Sequence, residues 1–436
     1  MDDSASSPRR RGRGWTKSVS LAATLTLATG VLAACGSSSG KPTLTWYINP
    51  DPVLPTLSGQ ALLAKQCSTN KYNITTQELP SDATSQRQQL AYRLAAKDSS
   101  IDLMSMDPAF TAEFAAAGFL ARIPAGYQRQ YAAGKLPGII STATYGGQLI
   151  ADPLWANTQV LWYRKSFAQK AGLDMSKPVT WDQIINAASN HGGTVGVQGN
   201  LYEGYAVWIN ALIMGAGGQI VSDTSKGVNA SVDVNSPAGQ DAAAIVSKLA
   251  HSKAAEPDLS VSNEGTVLTP FATPQGAFQV NWTFVYPNYK PDPTTFKDLG
   301  WARYPETVAG KPSRPPVGGI NLGIGAYSTH VQDALAAAKC ITSQSHQIQY
   351  ALQTGNMPAT AAAYSSPKLK TLFPTPLLTL FRQSLQSGGP RPNSPYWSDI
   401  SAALQSKWHP PSSVNSSTPG SSATYIEQVL QDKALL

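Results

Sequence analysis

Strand-like and helix-like patterns alternate along this chain, and this alternation limits the folds available to it. Runs rich in apolar and β-branched residues are each followed by a segment with helical spacing and a cap or terminating glycine. The predicted elements of the first part are, in order, strand 43–48, helix 55–66, strand 72–79, helix 85–96, strand 101–106 and helix 109–117. This order is typical of α/β domains with a largely parallel sheet.

Cap and turn residues delimit further elements. Thr180 and Gln183 form a capping box, Ser85 and Gln88 form a possible second one, and Ser236 precedes a proline at the first helical position. The remaining predictions are extended runs at 145–163, 276–282 and 318–325, helices at 331–343 and 423–434, and a low-complexity surface loop at 409–422. A chain of 436 residues suggests two to three domains.

The N-terminus has the features of an export signal. Residues 9–17 are basic, and residues 18–34 form an apolar stretch that is short for a spanning helix. The stretch ends in Leu-Ala-Ala-Cys35 and is followed by Ser and Gly, a pattern that resembles a bacterial lipobox. We predict a lipoprotein signal peptide at 1–34, lipidation of Cys35 and a tether at 35–41, which would anchor the chain to the outer face of the cell membrane. The alternative is an uncleaved anchor.

Two cysteines remain besides Cys35, and they are Cys67 and Cys340. In an oxidising compartment outside the cytoplasm, two thiols usually pair. We therefore predict a Cys67–Cys340 disulfide; the alternative is two buried free thiols.

Composition and motif content argue against several classes of function. Charged residues make up 14% of the chain and form no basic stripe, which argues against nucleic-acid binding. The five His stand apart, without metal-ligand spacing, and neither HExxH, CxxC nor a P-loop occurs. A match to GxSxG at 36–40 lies in the predicted tether, where a nucleophile elbow cannot form. The sequence thus predicts no metal, no cofactor and no enzyme.

Polar and aromatic residues lie together at several predicted strand ends. Asp107 follows the strand 101–106, Trp282 follows Asn281, and Asn157 lies in an extended run. Sugar hydroxyls require paired donors and acceptors, and the apolar faces of a sugar pack on aromatic rings. Because ligands of open α/β sheets bind beyond the carboxyl ends of strands, the pattern favours a site for a neutral polyol.

Several motifs resemble those of a known family. They are EFAAAGFL at 113–120, ADPLWANTQVLWYRK at 151–165, FAQKAGL at 167–173 and PVTWDQ at 178–183. The series is similar to the extracellular solute-binding proteins of carbohydrate ABC importers, the maltose-binding-protein class. Within that family the chain most resembles trehalose-binding lipoproteins, and the likeness extends over nearly the whole chain beyond the signal.

The resemblance implies an α/β, periplasmic-binding-protein-like fold. Two α/β lobes would be joined by a hinge of crossing strands near 152–156, 314–318 and 372–376, with a ligand cleft between the lobes. The implied N-terminal lobe comprises 42–153 plus 317–374, and the C-terminal lobe comprises 154–316 plus 375–436.

The resemblance also assigns roles to individual residues. Trp282 would stack on a pyranose ring, and the backbone of Gly318 and Gly319 would approach the ligand. In the first loop the match is loose, and Asn49 or Asp51 would replace an acidic group. The implied hydrogen-bonding residues are Gln86, Asp107, Asn157, Glu264 and Arg391.

The function implied by the resemblance is capture and delivery without chemistry on the ligand. A monomer would bind a disaccharide or small oligosaccharide, such as trehalose, and pass it to ABC permease subunits driven by a cytoplasmic ATPase. Two alternatives stay open. One is a secreted carbohydrate-active hydrolase that uses Asp102 or Asp107 with Glu264. The other is a binder of another polar solute, such as a glycerophosphodiester or an amino sugar.

Overall fold

The structure is a computed structural model that describes residues 40–50 and 59–436. The predicted signal peptide, Cys35 and Asp51 lie outside these ranges, so lipidation and a ligand contact of Asp51 stay predictions. None of the helices within the two ranges is both long and apolar enough to cross a membrane.

Strands of very unequal length make up the sheets. Their bounds are β1 Thr43–Ile48, β2 Asn73–Glu78, β3 Leu103–Met106, β4 Thr144–Tyr145, β5 Gln148–Leu149, β6 Asp152–Arg164, β7 Thr194–Gly196, β8 Val221–Ser222, β9 Ser231–Val232, β10 Gly276–Trp282, β11 Leu299–Ala302, β12 Pro316–Ile324, β13 Met357–Pro358 and β14 Gly389–Pro390. The main sheet has the order β2-β1-β3-β12-β6-β10-β7, with β11 and β13 paired to β6 and β14 paired to β12.

The prediction of parallel pairing is confirmed for the first three strands but does not extend to the whole main sheet, which is mixed. β1 pairs in parallel with β2 and β3, and β10 pairs in parallel with β7. The central pairs β3·β12, β12·β6 and β6·β10 are all antiparallel. The cause is the 13-residue strand β6. Its residues 152–158 pair with β12 and its residues 159–163 pair with β10. The strand β6 thus joins the strands β2-β1-β3-β12 on one side to β10-β7 on the other.

Helices cover the sheet, and short 3-10 turns occur in several connections. The helix bounds are α1 Gly59–Cys67, α2 Ala83–Ala95, α3 Thr111–Ala116, α4 Ala125–Ala132, α5 Pro137–Thr142, α6 Lys165–Lys170, α7 Trp181–His191, α8 Glu203–Gly215, α9 Pro237–Ala250, α10 Leu268–Phe271, α11 Val285–Tyr289, α12 Pro293–Asp298, α13 Val331–Ile341, α14 Gln344–Thr354, α15 Pro367–Leu372, α16 Thr375–Ser387, α17 Trp397–Trp408 and α18 Thr418–Leu430. The 3-10 turns are Pro108–Phe110, Thr224–Asn229, Leu259–Val261, Ala361–Ser365 and Pro411–Ser413.

The cap predictions have different outcomes. The Thr180 capping box and the Ser236 cap are confirmed at the starts of α7 and α9. The capping box at Ser85 is wrong, because α2 starts earlier and Asp82 accepts the backbone N–H of Ser85 at 2.9 Å.

Two other predictions are corrected near the C-terminus. The segment 409–422 is not a continuous loop, because it contains a 3-10 turn and the start of α18, where Pro419 occupies a first-turn position. The segment 372–376 is not a crossing strand, because it joins the end of α15 to the start of α16.

Buried aromatic residues mark where the hydrophobic cores lie. One cluster surrounds Trp46 of β1, a second contains Trp181 and Trp208 of α7 and α8, and a third packs Trp162 of β6 against Phe381 of α16. Residues 41–436 together form one compact unit. The division of this unit into two lobes at the boundaries given above stays a prediction.

The predicted disulfide is confirmed. Cys67, the last residue of α1, is bonded to Cys340 of α13, and their Cα atoms are 5.8 Å apart. The bond joins two helices that belong to the same hydrophobic cluster.

A buried ion pair fixes the start of β6. Lys135 Nζ lies 3.1 Å from Asp152 Oδ1 and also donates to the carbonyl of Pro153, and Thr342 Oγ1 donates to Asp152 Oδ2 at 2.5 Å. The side chains of Lys135 and Asp152 are 4% and 1% exposed. Burial raises the pKa of Asp152 to about 6, although the attraction of Lys135 opposes this shift.

Replacing Lys135 by Met tests this pair. We expect Lys135→Met to lower the free energy of unfolding by about 3–5 kcal/mol at pH 8, because Asp152 keeps its buried charge without a cation. The double variant with Asp152→Asn should regain part of the loss. Urea unfolding of the three proteins measures both values, and equal stability of the single and double variants would contradict the argument.

Candidate functional site

Four neighbouring strands bring predicted site residues into one row. Asp107 follows the end of β3, and Gly318 of β12 lies opposite Asn157 of β6. Trp282, the last residue of β10, lies opposite Gln159 of β6. The order β3-β12-β6-β10 places these residues on four successive strands, each about 4.8 Å from the next, and the register offsets Asp107 and Trp282 along the strands in opposite directions. These residues come from segments far apart in the sequence.

A buried guanidinium joins two carboxylates at one end of the row. Arg391 Nη2 lies 2.7 Å from Asp107 Oδ1, and Arg391 Nη1 lies 2.7 Å from Glu203 Oε1. The side chain of Arg391 is 4% exposed, that of Glu203 is 3% exposed, and that of Asp107 is 19% exposed. The paired carboxylates raise the pKa of Arg391 and outweigh the effect of burial. We call these three residues the ion triad.

Glu203 is held by two further donors. The indole N–H of Trp397 donates to Oε1 at 2.8 Å, and the hydroxyl of Ser401 donates to Oε2 at 2.6 Å. Burial raises the pKa of Glu203, and Arg391 opposes this effect. Because both carboxylate oxygens are bonded within the protein, Glu203 acts on the site through Arg391.

A second carboxylate group lies next to the ion triad. Tyr202 donates its hydroxyl to Glu264 Oε2 at 2.6 Å, and Trp282 lies close enough to Glu264 to lower the pKa of its carboxyl. Asn281 of β10 donates to the backbone oxygen of Glu264 at 2.9 Å, which holds this loop at the strand end. Burial raises the pKa of Glu264, the hydrogen bond from Tyr202 opposes that shift, and the charge of nearby Asp107 adds to it.

Close packing explains a glycine beside the tryptophan. A Cβ atom at Gly318 would lie 3.0 Å from Cη2 of Trp282, so a larger residue would push the indole away. The next residue, Gly319, has a φ of +131°, and a Cβ there would lie 2.2 Å from the carbonyl oxygen of Trp155. Both glycines are therefore required by the local structure.

Asn157 is largely occupied by protein partners. Its Oδ1 accepts the hydroxyl of Thr283 at 2.8 Å, and its Nδ2 donates to Asn356 Oδ1 at 3.0 Å. Among the described residues, only one N–H of the Asn157 amide has an acceptor, so the other can donate to a ligand. The side chain thus ties β6 to the turn after β10.

Gln86 and Asn49 lie on the side of β1 and β3. Gln86 is 7% exposed, donates to the carbonyl of Pro80 at 2.8 Å, and borders with Asp107 a narrow space of about 10 Å³. Asn49 follows β1, and its buried Oδ1 has no partner among the described residues. Asn49 and Asp107 both follow the carboxyl ends of parallel strands, at the same edge of the sheet.

Two larger spaces lie near Arg391. A cavity of about 220 Å³ is bordered by Arg391, Pro108, Thr142 and Val317. It adjoins, at Ser141, a groove of about 700 Å³. Arg391 thus borders this cavity and is paired with Asp107, which borders the narrow space.

Residues 58–348, more than half of the 436 residues, match the family model described as bacterial extracellular solute-binding protein. The chain belongs to this family. Membership of an extracellular family confirms the predicted location outside the cytoplasm. It also confirms the prediction that the protein is a binding protein rather than an enzyme.

A relative and two solved structures agree with this membership. A probable ABC transporter-binding protein of Deinococcus radiodurans is 27% identical over 253 residues, which are 55% of this chain and 58% of that protein, so the match spans less than two thirds of the relative. The maltose-bound MalE3 of T. maritima has a TM-score of 0.76 at 22% identity, covering 90% of this chain and all of that one. The GacH receptor of Streptomyces glaucescens has a TM-score of 0.73 at 21% identity, with 90% and 100% covered.

The two structures confirm the predicted periplasmic-binding-protein-like α/β fold.

The contacts of Asp102 argue against the hydrolase alternative. Asp102 is 2% exposed and accepts the backbone N–H of Thr45 at 2.8 Å and the hydroxyl of Ser328 at 2.5 Å. These contacts fix β1 and β3 and leave Asp102 away from solvent.

Sequence reasoning missed Tyr202 and Glu203. Glu203 is the only acidic residue of α8, a helix that is otherwise almost entirely apolar (EGYAVWINALIMG). A buried acid of this kind requires a cation or several donors, and this was the available signal. Its partner Arg391 is 188 positions away in the sequence.

Replacing Arg391 tests the ion triad. We expect Arg391→Gln to lower the free energy of unfolding by about 3–5 kcal/mol at pH 8, because Glu203 is left charged and buried. The pKa of Glu203 then rises further, and a raised pKa in the folded state favours folding at low pH. The loss should therefore shrink as the pH falls toward 5.

The control is Lys226→Gln, since Lys226 pairs with Asp223 at the surface, where the two side chains are 60% and 53% exposed. This substitution should lower the free energy of unfolding by about 1 kcal/mol or less. Urea unfolding at several pH values measures both variants, and a loss for Arg391→Gln no larger than the control would contradict a buried triad.

Proposed function

We propose that this protein captures an uncharged sugar, a disaccharide such as trehalose or a small oligosaccharide, and delivers it unaltered to the permease of an ABC importer. The observation that carries the proposal is the grouping of Asp107, Glu264 and Tyr202 with the indole of Trp282 at neighbouring strand ends. The proposed binding set also includes Asn49, Asp51, Gln86, Asn157, Gly318, Gly319 and Arg391.

The chemistry of these groups suits a sugar. Asp107 Oδ1 accepts bonds from Arg391 and from the backbone of Ala109, whereas its Oδ2 accepts none from the described residues. A ligand hydroxyl can donate to this oxygen, and a bond to a charged acceptor is strong and directional. The indole of Trp282 offers an apolar face to the C–H groups of a pyranose ring.

The relatives support the same class of ligand and partner. The T. maritima structure is described as maltose-bound, and the GacH receptor is described in complex with acarbose. The Deinococcus relative is named as an ABC transporter-binding protein. We extend sugar binding and a permease partner to this chain as parts of the proposal.

The proposed mechanism uses the two predicted lobes. With the boundaries given above, Asp107 belongs to one lobe, whereas Arg391, Glu203, Glu264 and Trp282 belong to the other. Ligand that contacts both sides shifts the population toward the closed state, in which Arg391 reaches Asp107. As part of the same proposal, a lipid on Cys35 holds the monomer beside its permease at the cell membrane.

Two alanine variants test the site. We expect Trp282→Ala and Asp107→Ala each to weaken sugar binding at least tenfold, about 1.4 kcal/mol or more, without unfolding the protein. Trp282→Ala removes the apolar face, and Asp107→Ala removes the charged acceptor. Calorimetric titration with trehalose and maltose gives the affinities.

Matched controls are Trp301→Ala on β11 and Asp182→Ala in α7, which lie outside the proposed set and should keep native affinity. Native affinity in both site variants would refute the site. Release of monosaccharide from either sugar would instead support the hydrolase alternative.

A further inference from the structure

We infer that Glu203 determines the charge class of the ligand: by binding Arg391, it makes the cleft reject anionic sugars such as sugar phosphates. The inference rests on the proposed function, because it concerns the same cleft. Glu203 would act without touching the ligand, as a positioning residue for Arg391.

The contacts of Arg391 carry the first step. Both of its terminal nitrogens are engaged, one by Asp107 and one by Glu203, each at 2.7 Å. One guanidinium thus faces two carboxylates, so the ion triad has a formal charge of −1. These carboxylates take two of the five N–H donors of Arg391, and their two negative charges outweigh the single positive charge that would attract an anion.

Neighbouring charges add to this effect. Glu264 lies close enough to Asp107 for the two charges to affect each other. Arg87, the cation that borders the narrow space at Asp107, is paired with Glu113.

A phosphate in this cleft would lose its hydration without gaining a free cation. It would also lie near carboxylates of the same sign, and burying an unpaired charge is costly. A hydroxyl group has no such penalty, because it can donate to Asp107. A protonated amine would be attracted, so neutral and amino sugars belong to the accepted class.

Glu203, rather than Asp107, sets this property. Glu203 is fixed by Trp397 and Ser401, so it holds Arg391 whether or not Asp107 is near. Asp107 is more exposed and has a free oxygen for the ligand. If Glu203 loses its charge, Arg391 has an uncompensated positive charge whenever the lobes separate.

The experiment compares trehalose and maltose with their 6-phosphates, by calorimetric titration at constant ionic strength. For the native protein we expect each sugar phosphate to bind more weakly than its neutral sugar by a factor of about 100 or more. In Glu203→Gln this ratio should narrow at least tenfold, because Arg391 is freed to pair with phosphate.

The matched control is Glu256→Gln. Glu256 is also buried, 3% exposed, and its Oε2 has no hydrogen-bond partner among the described residues. Burial raises the pKa of Glu256 to about 8, so the carboxyl is largely protonated at pH 7 and an amide resembles it closely. This variant should keep the native ratio.

The possible outcomes distinguish a failure of the proposed sugar-binding function from a failure of the inference about Glu203. Binding of neither neutral sugar nor phosphate to the native protein would refute the proposed function, and this inference with it. Equal affinity of the native protein for a sugar and its phosphate would refute the inference alone. An unchanged ratio in a folded Glu203→Gln protein would also refute it. If Glu203→Gln does not fold, Glu203→Asp tests the same carboxylate: the shorter side chain draws the charge back from Arg391, so the ratio should narrow, and an unchanged ratio would refute the inference.

Discussion

The buried guanidinium of Arg391 is the interaction on which the candidate site depends. A charge at this depth is stable only with close partners, and Asp107 and Glu203 supply them from β3 and α8. Arg391 follows β14, which pairs with β12, so the central sheet positions the cation itself. The side chain of Arg391 thereby connects the end of β3, the central sheet and the helix α8, which belongs to the hydrophobic cluster around Trp181 and Trp208.

The long strand β6 provides the frame for this interaction. It pairs with β12 along its first half and with β10 along its second, so Gly318, Asn157 and Trp282 keep fixed positions relative to one another. Lys135 and Asp152 secure the start of the same strand in a dry environment. Residues of the site that lie on these strands therefore keep their orientation before any ligand arrives, which lowers the cost of binding.

Local sequence patterns predicted much of the fold and part of the site. The strands β1 and β10, the Thr180 capping box and the Cys67–Cys340 disulfide were all predicted from neighbouring residues or residue chemistry. Asp107, Glu264, Trp282 and Arg391 were named from strand ends and from family resemblance, and the structure brings them together. Their roles in ligand binding remain part of the proposal.

What the sequence did not reveal depends on long-range contacts. The direction of each strand depends on where the chain returns to the sheet, so the antiparallel centre around β6 has no local signature. Glu203 and Lys135 were missed because their partners, Arg391 and Asp152, are brought to them by folding. The low-complexity composition of 409–422 concealed the helix start at Thr418, since Ser, Thr and Pro favour both loops and helix N-termini.

The central claim is that a sugar binds at Asp107 and Trp282 while Arg391 stays paired with its carboxylates. Its most direct test is a crystal structure of the protein crystallised with trehalose or maltose. The account predicts an intact sugar that donates a hydroxyl to Asp107, packs a ring on Trp282, and leaves Arg391 bonded to both Asp107 and Glu203. A ligand bound elsewhere, or an Arg391 that has left its carboxylates to bind an anion, would contradict it.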